Sequence, residues 1–197
     1  MRLQSRRTAF RRVPTALRTV LLVLAAGSCV AGEPASAVLN YIYVGAPAAA
    51  CTATSLTQAL AMAKLTSAAD EIRLTRTLAY SNVNLYVQDW DLDDTGVLIV
   101  SGGWDDCLDP SSSGETVLSG SPEQVVVEVA ESGASSTGIY VVLRDLELTG
   151  ANTGVSVGGV SVTTPATVRL ESSVVHGNEH GAAASQGARL EIDGATV

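Results

Sequence analysis

Aromatic side chains are scarce in this chain: Phe, Trp and Tyr make up 4% of its 197 residues, and there is a single Phe. Few aromatic platforms are therefore available for stacking sugar rings. A core must be built from Val, Leu and Ile, which suits strands better than helices. Long apolar runs are missing too. The densest, Val20–Ala26 (VLLVLAA), is too short for a typical membrane-spanning helix, even with its neighbours. Basic residues almost vanish beyond the start. From residue 38 onward there are 6 basic and 19 acidic residues, a formal charge of −13. That balance argues against nucleic acid or an anionic membrane surface as partner. It suits a soluble extracellular surface and leaves room for divalent cations. No Pro/Ser-rich linker divides these 160 residues, which suffice for one domain with a real core.

The first 37 residues read as a signal peptide. Arg2, Arg6, Arg7, Arg11, Arg12 and Arg18 form a basic n-region, and Val20–Ala26 forms a short apolar h-region. Ala35-Ser36-Ala37 fits the small-x-small cleavage pattern, so Val38 would begin the exported chain. The competing reading is a lipid anchor at Cys29, since Ala26-Gly27-Ser28 loosely resembles a lipobox. Arg6-Arg7 and Arg11-Arg12 lack the flanking context of twin-arginine export.

What the sequence has in quantity is short alternating strands, clearest from Gly138 to Val197. Leu170 superimposes on Ile192 at an offset of 22, and Leu143 on Leu170 at an offset of 27. The second offset also carries Leu148 onto Val175 and Gly150 onto Gly177. Steps of this size, with strand rather than helix patterning, fit one turn of a parallel β-helix. Val168, Leu170, Leu190 and Ile192 then face inward, and Arg169, Glu171, Arg189 and Glu191 face outward. An antiparallel β-sandwich is the alternative, because it too shows short strands between Gly-rich turns.

Upstream, residues 38–44 read as a first strand. Ser55 and Gln58 form a capping-box pattern, and Leu56, Leu60 and Ala63 follow at helical spacing, which predicts a helix over 55–68. Such a helix would cover the open end of the first coil. Strands follow over 71–75, 83–88, 96–103, 115–120 and 124–130. Val197 falls inside a repeat, so 38–197 reads as a cap and first coils of a fragment. The bare edge around Ala188–Val197 is expected to drive self-association.

The Cys51 segment, the Ser-Leu-Thr-Gln-Ala-Leu stretch, Asp70–Leu74 and Val100-Ser-Gly-Gly-Trp104-Asp-Asp-Cys107 together resemble secreted bacterial right-handed parallel β-helix repeat proteins. His176-Gly-Asn178 and Gly181 are similar to the turns of their coils. The resemblance implies an all-β, right-handed parallel β-helix with an N-terminal capping α-helix. The pectate-lyase-like superfamily holds both polysaccharide-active enzymes and surface or adhesin-like passengers, so it implies no one activity.

Candidate chemistry is thin. Cys51 and Cys107 remain after processing and most simply pair in an exported chain, the alternative being two separate thiols. Asp89, Asp91, Asp93 and Asp94, joined by Asp105, Asp106 and Asp109, invite calcium. The EF-hand pattern fails, because Asp94 stands where Gly is needed and Val100 where Glu is needed, so a solvated acidic turn is the simpler reading. His176–His180 matches H-x-x-E-H, but Gly177 and Asn178 favour a turn over the required helix. Gly154–Gly158 matches G-x-S-x-G without a following helix; Glu171 and His176 come in triad order. Arg144, Asp145, Arg169, Glu171, Arg189 and Glu191 are the outward charges from which a polysaccharide lyase would draw, and they read equally as solubilising charge. The expected role is an exported, non-catalytic surface protein binding polysaccharide or another surface protein. The alternative is a lyase or glycoside hydrolase whose catalytic coils lie beyond residue 197.

Overall fold

Alternation of Val, Leu and Ile with polar residues gives strands, and turn residues keep them short. A computed structural model describes residues 39–46, 50–66, 68–88, 96–108, 111–131, 138–160, 163, 165–185 and 187–197. Residues 1–37, expected to be a signal peptide and including Cys29, lie outside them, as do Asp89, Asp91, Asp93, Asp94 and Asp109. The elements run β1 (Asn40–Val44), α1 (Leu56–Ala63), β2 (Asp70–Thr75), β3 (Tyr80–Ser81), β4 (Leu85–Gln88), β5 (Val97–Trp104), β6 (Thr116–Ser119) and β7 (Val125–Ala130). They continue with β8 (Tyr140–Arg144), β9 (Leu146–Thr149), β10 (Thr153–Gly158), β11 (Ala166–Glu171), β12 (Val174–Val175), β13 (His180–Ala184) and β14 (Ala188–Asp193).

These strands form three sheets. The first is ordered β1-β2-β5-β8-β11-β14, the second β3-β6-β9-β12, and the third β4-β7-β10-β13. From β2 onward, each third strand returns to the same sheet, one place further along. Every pairing between named strands is parallel. The described strands therefore form no antiparallel sandwich; a lone bridge, Trp104 to Ser112, runs antiparallel. The registers Leu143–Leu170–Ile192 and Leu148–Val175 are those that the 27- and 22-residue offsets give.

Burial follows register. Ile42, Ile72, Val100, Leu143, Leu170 and Ile192 form one column in the first sheet. The first five are at most 2% exposed, whereas Ile192, in the last strand, is 55% exposed. Leu118–Leu148–Val175 and Val87–Val129–Val157 do the same in the second and third sheets.

The corner from the first sheet to the second is a single left-handed residue in β8–β9: Asp145, φ 53°. Ser172 (φ 46°) and Gly194 (φ 64°) occupy the same place in the following layers. Backbone bonds climb this corner, Asp145 N–H donating to Glu171 C=O and Ser172 N–H to Asp193 C=O. Inside it, buried hydroxyls satisfy the remaining backbone groups. Ser173 Oγ donates to Leu143 C=O and accepts from Leu146 N–H, both at 3.2 Å.

The helix is shorter than the 55–68 predicted. Ser55 caps it, accepting from Gln58 N–H at 3.1 Å, but it ends at Ala63. Thr66 turns its hydroxyl onto Ala63 C=O and Asp70, closing the chain back toward β2. The helix also does not precede all pairing. It is the crossover joining β1 to β2, which pair in parallel, and it buries Leu56, Ala59, Leu60 and Ala63.

Candidate functional site

The outward face of the first sheet gathers a cluster of charged side chains and one of the two Trp residues. Alternation places two rows there. One reads Tyr41, Glu71, Ile99, Val142, Arg169, Glu191; the other reads Tyr43, Arg73, Ser101, Arg144, Glu171, Asp193.

At the β1 end the rows close into a cluster. The Arg73 guanidinium lies 3.9 Å from the Tyr41 ring centroid, 4.1 Å from that of Trp104 and 5.4 Å from that of Tyr43. Its Nε donates to Glu71 Oε1 at 3.1 Å, and Nη1 donates to the Tyr43 hydroxyl at 2.9 Å. Ser101 Oγ donates to the same Glu71 oxygen at 2.8 Å and accepts from Trp104 Nε1 at 2.9 Å. A register shift between Arg73 and Thr75 brings Trp104 alongside. Glu71 is thereby only 5% exposed although it faces outward. Burial opposes the Arg73 charge, yet Glu71 and Tyr43 outweigh it and hold the guanidinium above its ordinary pKa. Such contacts contribute ~0.5–2 kcal/mol each, more where desolvated.

Toward β14 the same rows carry ion pairs between layers. Glu171 accepts from Arg144 Nε at 2.8 Å and from Arg169 Nε at 3.0 Å. Arg169 also reaches Asp193, and Arg189 lies 3.7 Å from Glu191. Hydrogen bonds to Asp193 and Tyr140 raise the Arg169 pKa. Asp145 sits apart in the corner; burial raises its carboxyl pKa, with Arg144 opposing and Glu171 reinforcing. Exposed pairs of this kind contribute ~0–1 kcal/mol each. Each of these arginines is thus paired with a carboxylate of the same face.

The other candidates are placed elsewhere. Cys51 and Cys107 are joined, with an S–S distance of 2.06 Å. Asp105 pairs with Arg76, and Asp106 Oδ1 accepts from Leu108 N–H at 2.7 Å. Among the described residues no three His, Cys, Asp or Glu side chains converge on a metal-sized site. His176 Nε2 contacts Glu147 Oε1 at 2.8 Å, while Glu179 accepts from Asn152 Nδ2 at 2.9 Å and His180 opens β13. The H-x-x-E-H residues therefore spread over a strand–turn–strand and take separate partners. Gly154–Gly158 lies wholly within β10, without the sharp turn a nucleophile needs. Gly154 is there for packing: a Cβ would stand 2.3 Å from Val175 Cγ1 and 2.6 Å from Gly181 O.

Sequence reasoning missed the Arg73 cluster. Its signal was the alternation of Tyr41 and Tyr43 with Ile42, matched by Glu71 and Arg73 around Ile72. Among the described residues no helix is long and apolar enough to cross a membrane. The chain matches no family model, no curated protein and no solved structure.

Proposed function

We propose that this is an exported, non-catalytic right-handed parallel β-helix protein whose outward first-sheet face binds a partner at the cell exterior, in the manner of a surface or adhesin-like protein. The three parallel sheets, with each third strand returning to the same sheet, are what successive coils of such a helix produce. Right-handedness rests on the strong preference for right-handed crossovers between parallel strands. Export rests on the Arg-rich leader, the Ala35-Ser36-Ala37 site and the Cys51–Cys107 bond, which belongs in an oxidising compartment. The resemblance to secreted bacterial β-helix repeat proteins points the same way.

One observation carries the role: Arg73, Arg144 and Arg169 are each locked to a carboxylate across the face. A lyase needs an unengaged base near its substrate's acidic proton. A contact surface needs ordered, laterally braced side chains. The partner is a polysaccharide or another surface protein, recognised by the Tyr41–Arg73–Trp104 end and the charged rows beyond it.

Fluorescently labelled protein should adhere to cell walls or host-surface preparations, and Arg73→Ala should reduce adhesion. Release of unsaturated product from polygalacturonate or pectin with calcium present would overturn the reading in favour of the polysaccharide-active alternative. N-terminal sequencing should begin at Val38; an acylated Cys29 would replace secretion with a lipid anchor.

A further inference from the structure

Between α1 and the edge made by β3 and β4 lies a cleft of about 550 Å³. That falls within the ~300–1,000 Å³ usual for small-molecule sites. We propose that this cleft binds a short neutral oligosaccharide.

The chemistry of its lining selects that class. Thr57, Ser81, Asn82 and Asn84 present hydroxyls and amides to it, and none of the four makes a side-chain hydrogen bond among the described residues. Amides and hydroxyls both donate and accept, as a polyol requires. Tyr86 adds an aromatic ring, 40% exposed, whose hydroxyl accepts from Gln88 Nε2 at 2.5 Å. Leu60 and Leu85 give the cleft an apolar floor. Hydrogen-bonding groups around a ring and an apolar floor complement the hydroxyl rim and C–H faces of a sugar. Among the described residues Lys64 is the one acid–base group of the lining besides the tyrosines, and none of them brings a carboxylate to the cleft to attract a cation. The strongly acidic surface of the exported chain disfavours an anionic ligand.

Asn82 shows how the fold makes room. It occupies the corner that Gly120, Gly150 and Gly177 occupy in later layers; of these, Gly150 and Gly177 share its positive φ, 73° and 64° against 55°. In those two layers a Cβ would meet the layer before: 2.9 Å from Ser119 Oγ at Gly150, and 2.7 Å from Thr149 Oγ1 at Gly177. Asn82 belongs to the first such layer, with none before it. A side chain fits there, and it lines the cleft.

The site is separate from the first-sheet face and stands whether or not that face adheres to anything. The test is titration of the full chain with neutral trisaccharides (cellotriose, maltotriose, mannotriose and triacetylchitotriose), followed by NMR shifts and calorimetry. At least one should bind at a single site, with perturbed signals confined to Thr57, Ser81–Tyr86 and their neighbours. Tyr86→Ala and Asn84→Ala should each weaken it roughly five- to tenfold, with the thermal midpoint unchanged because both side chains are exposed. Arg189→Ala, on the other face, should leave affinity unchanged. Thr57→Val, nearly isosteric, should weaken binding even if Tyr86→Ala proves unstable. No binding of any trisaccharide at about 10 mM overturns the proposal. So does binding that these variants leave intact, or preferential binding of a neutral extended peptide along β4.

Discussion

The column Ile42–Ile72–Val100–Leu143–Leu170–Ile192 allows one substitution to be compared at two places with nearly the same chemistry. Leu143 is fully buried between Val100 and Leu170, and Ile192 is 55% exposed. Leu143→Ala removes the transfer free energy of a fully buried side chain and leaves a cavity walled by neighbouring layers, costing about 3–5 kcal/mol. Ile192→Ala gives up less than half of a transfer term of ~1.5–3 kcal/mol and leaves an opening rather than a cavity, so about 1 kcal/mol. Urea unfolding followed by far-UV circular dichroism measures both. Stacked repeats can lose two-state behaviour, so the comparison also needs an unchanged m-value or hydrogen exchange read layer by layer. Equal costs at the two positions would refute the reasoning, because they would mean that Ile192 is as enclosed as Leu143.

Gly154→Ala should destabilise by about 2–3 kcal/mol through overpacking against Val175 and the Gly181 carbonyl, seen as a lowered urea midpoint. Breaking Cys51–Cys107 by the double serine variant should cost about 4 kcal/mol, since the bond closes a separation of 56 residues; an unchanged thermal midpoint would contradict this. Burial pushes the Tyr80 hydroxyl up to about 12, with Thr75 partly offsetting it. The folded state therefore keeps a proton that the unfolded chain loses near pH 10. Stability present below pH 10 should fall by roughly 2–3 kcal/mol as pH approaches 12. Tyr80→Phe should remove that fall, and the absorbance titration of the parent should show a late phenol that this variant lacks.

The layers easiest to see in the sequence are those whose strands are separated by short and similar lengths of chain. Leu143, Leu170 and Ile192 could be aligned because nothing larger than the loop near Thr163 intervenes. Val100 to Leu143 spans 43 residues, because the chain makes an excursion past Trp104 to the Cys107 bond before resuming. No fixed period reveals that step. β3 is two residues long, too short for alternation to register, and β13 is mostly Ala and Gly, whose small side chains carry no face preference. The helix end was misplaced because Thr66 bonds locally in a way propensity does not encode. The Arg73 cluster depends on three strands and a register shift, a long-range arrangement that residue spacing alone cannot specify.

The two kinds of corner tolerate change unequally. Between the first and second sheets the chain turns on one left-handed residue, Asp145, between β8 and β9, although the same junction takes 11 residues between β5 and β6. From the third sheet back to the first it takes 3 residues after β13 but 9 after β7. Lengthening a loop costs little, ~0.6 kcal/mol per doubling. Adding one residue at the tight corner would instead turn inward-facing side chains outward. Length can thus be gained or lost in the long connections, those returning from the third sheet to the first and the one between β5 and β6, without disturbing the stacked columns, whereas the β8–β9 corner cannot absorb it. A peptide grafted between β7 and β8 would rejoin the first sheet at Tyr140, the first residue of β8.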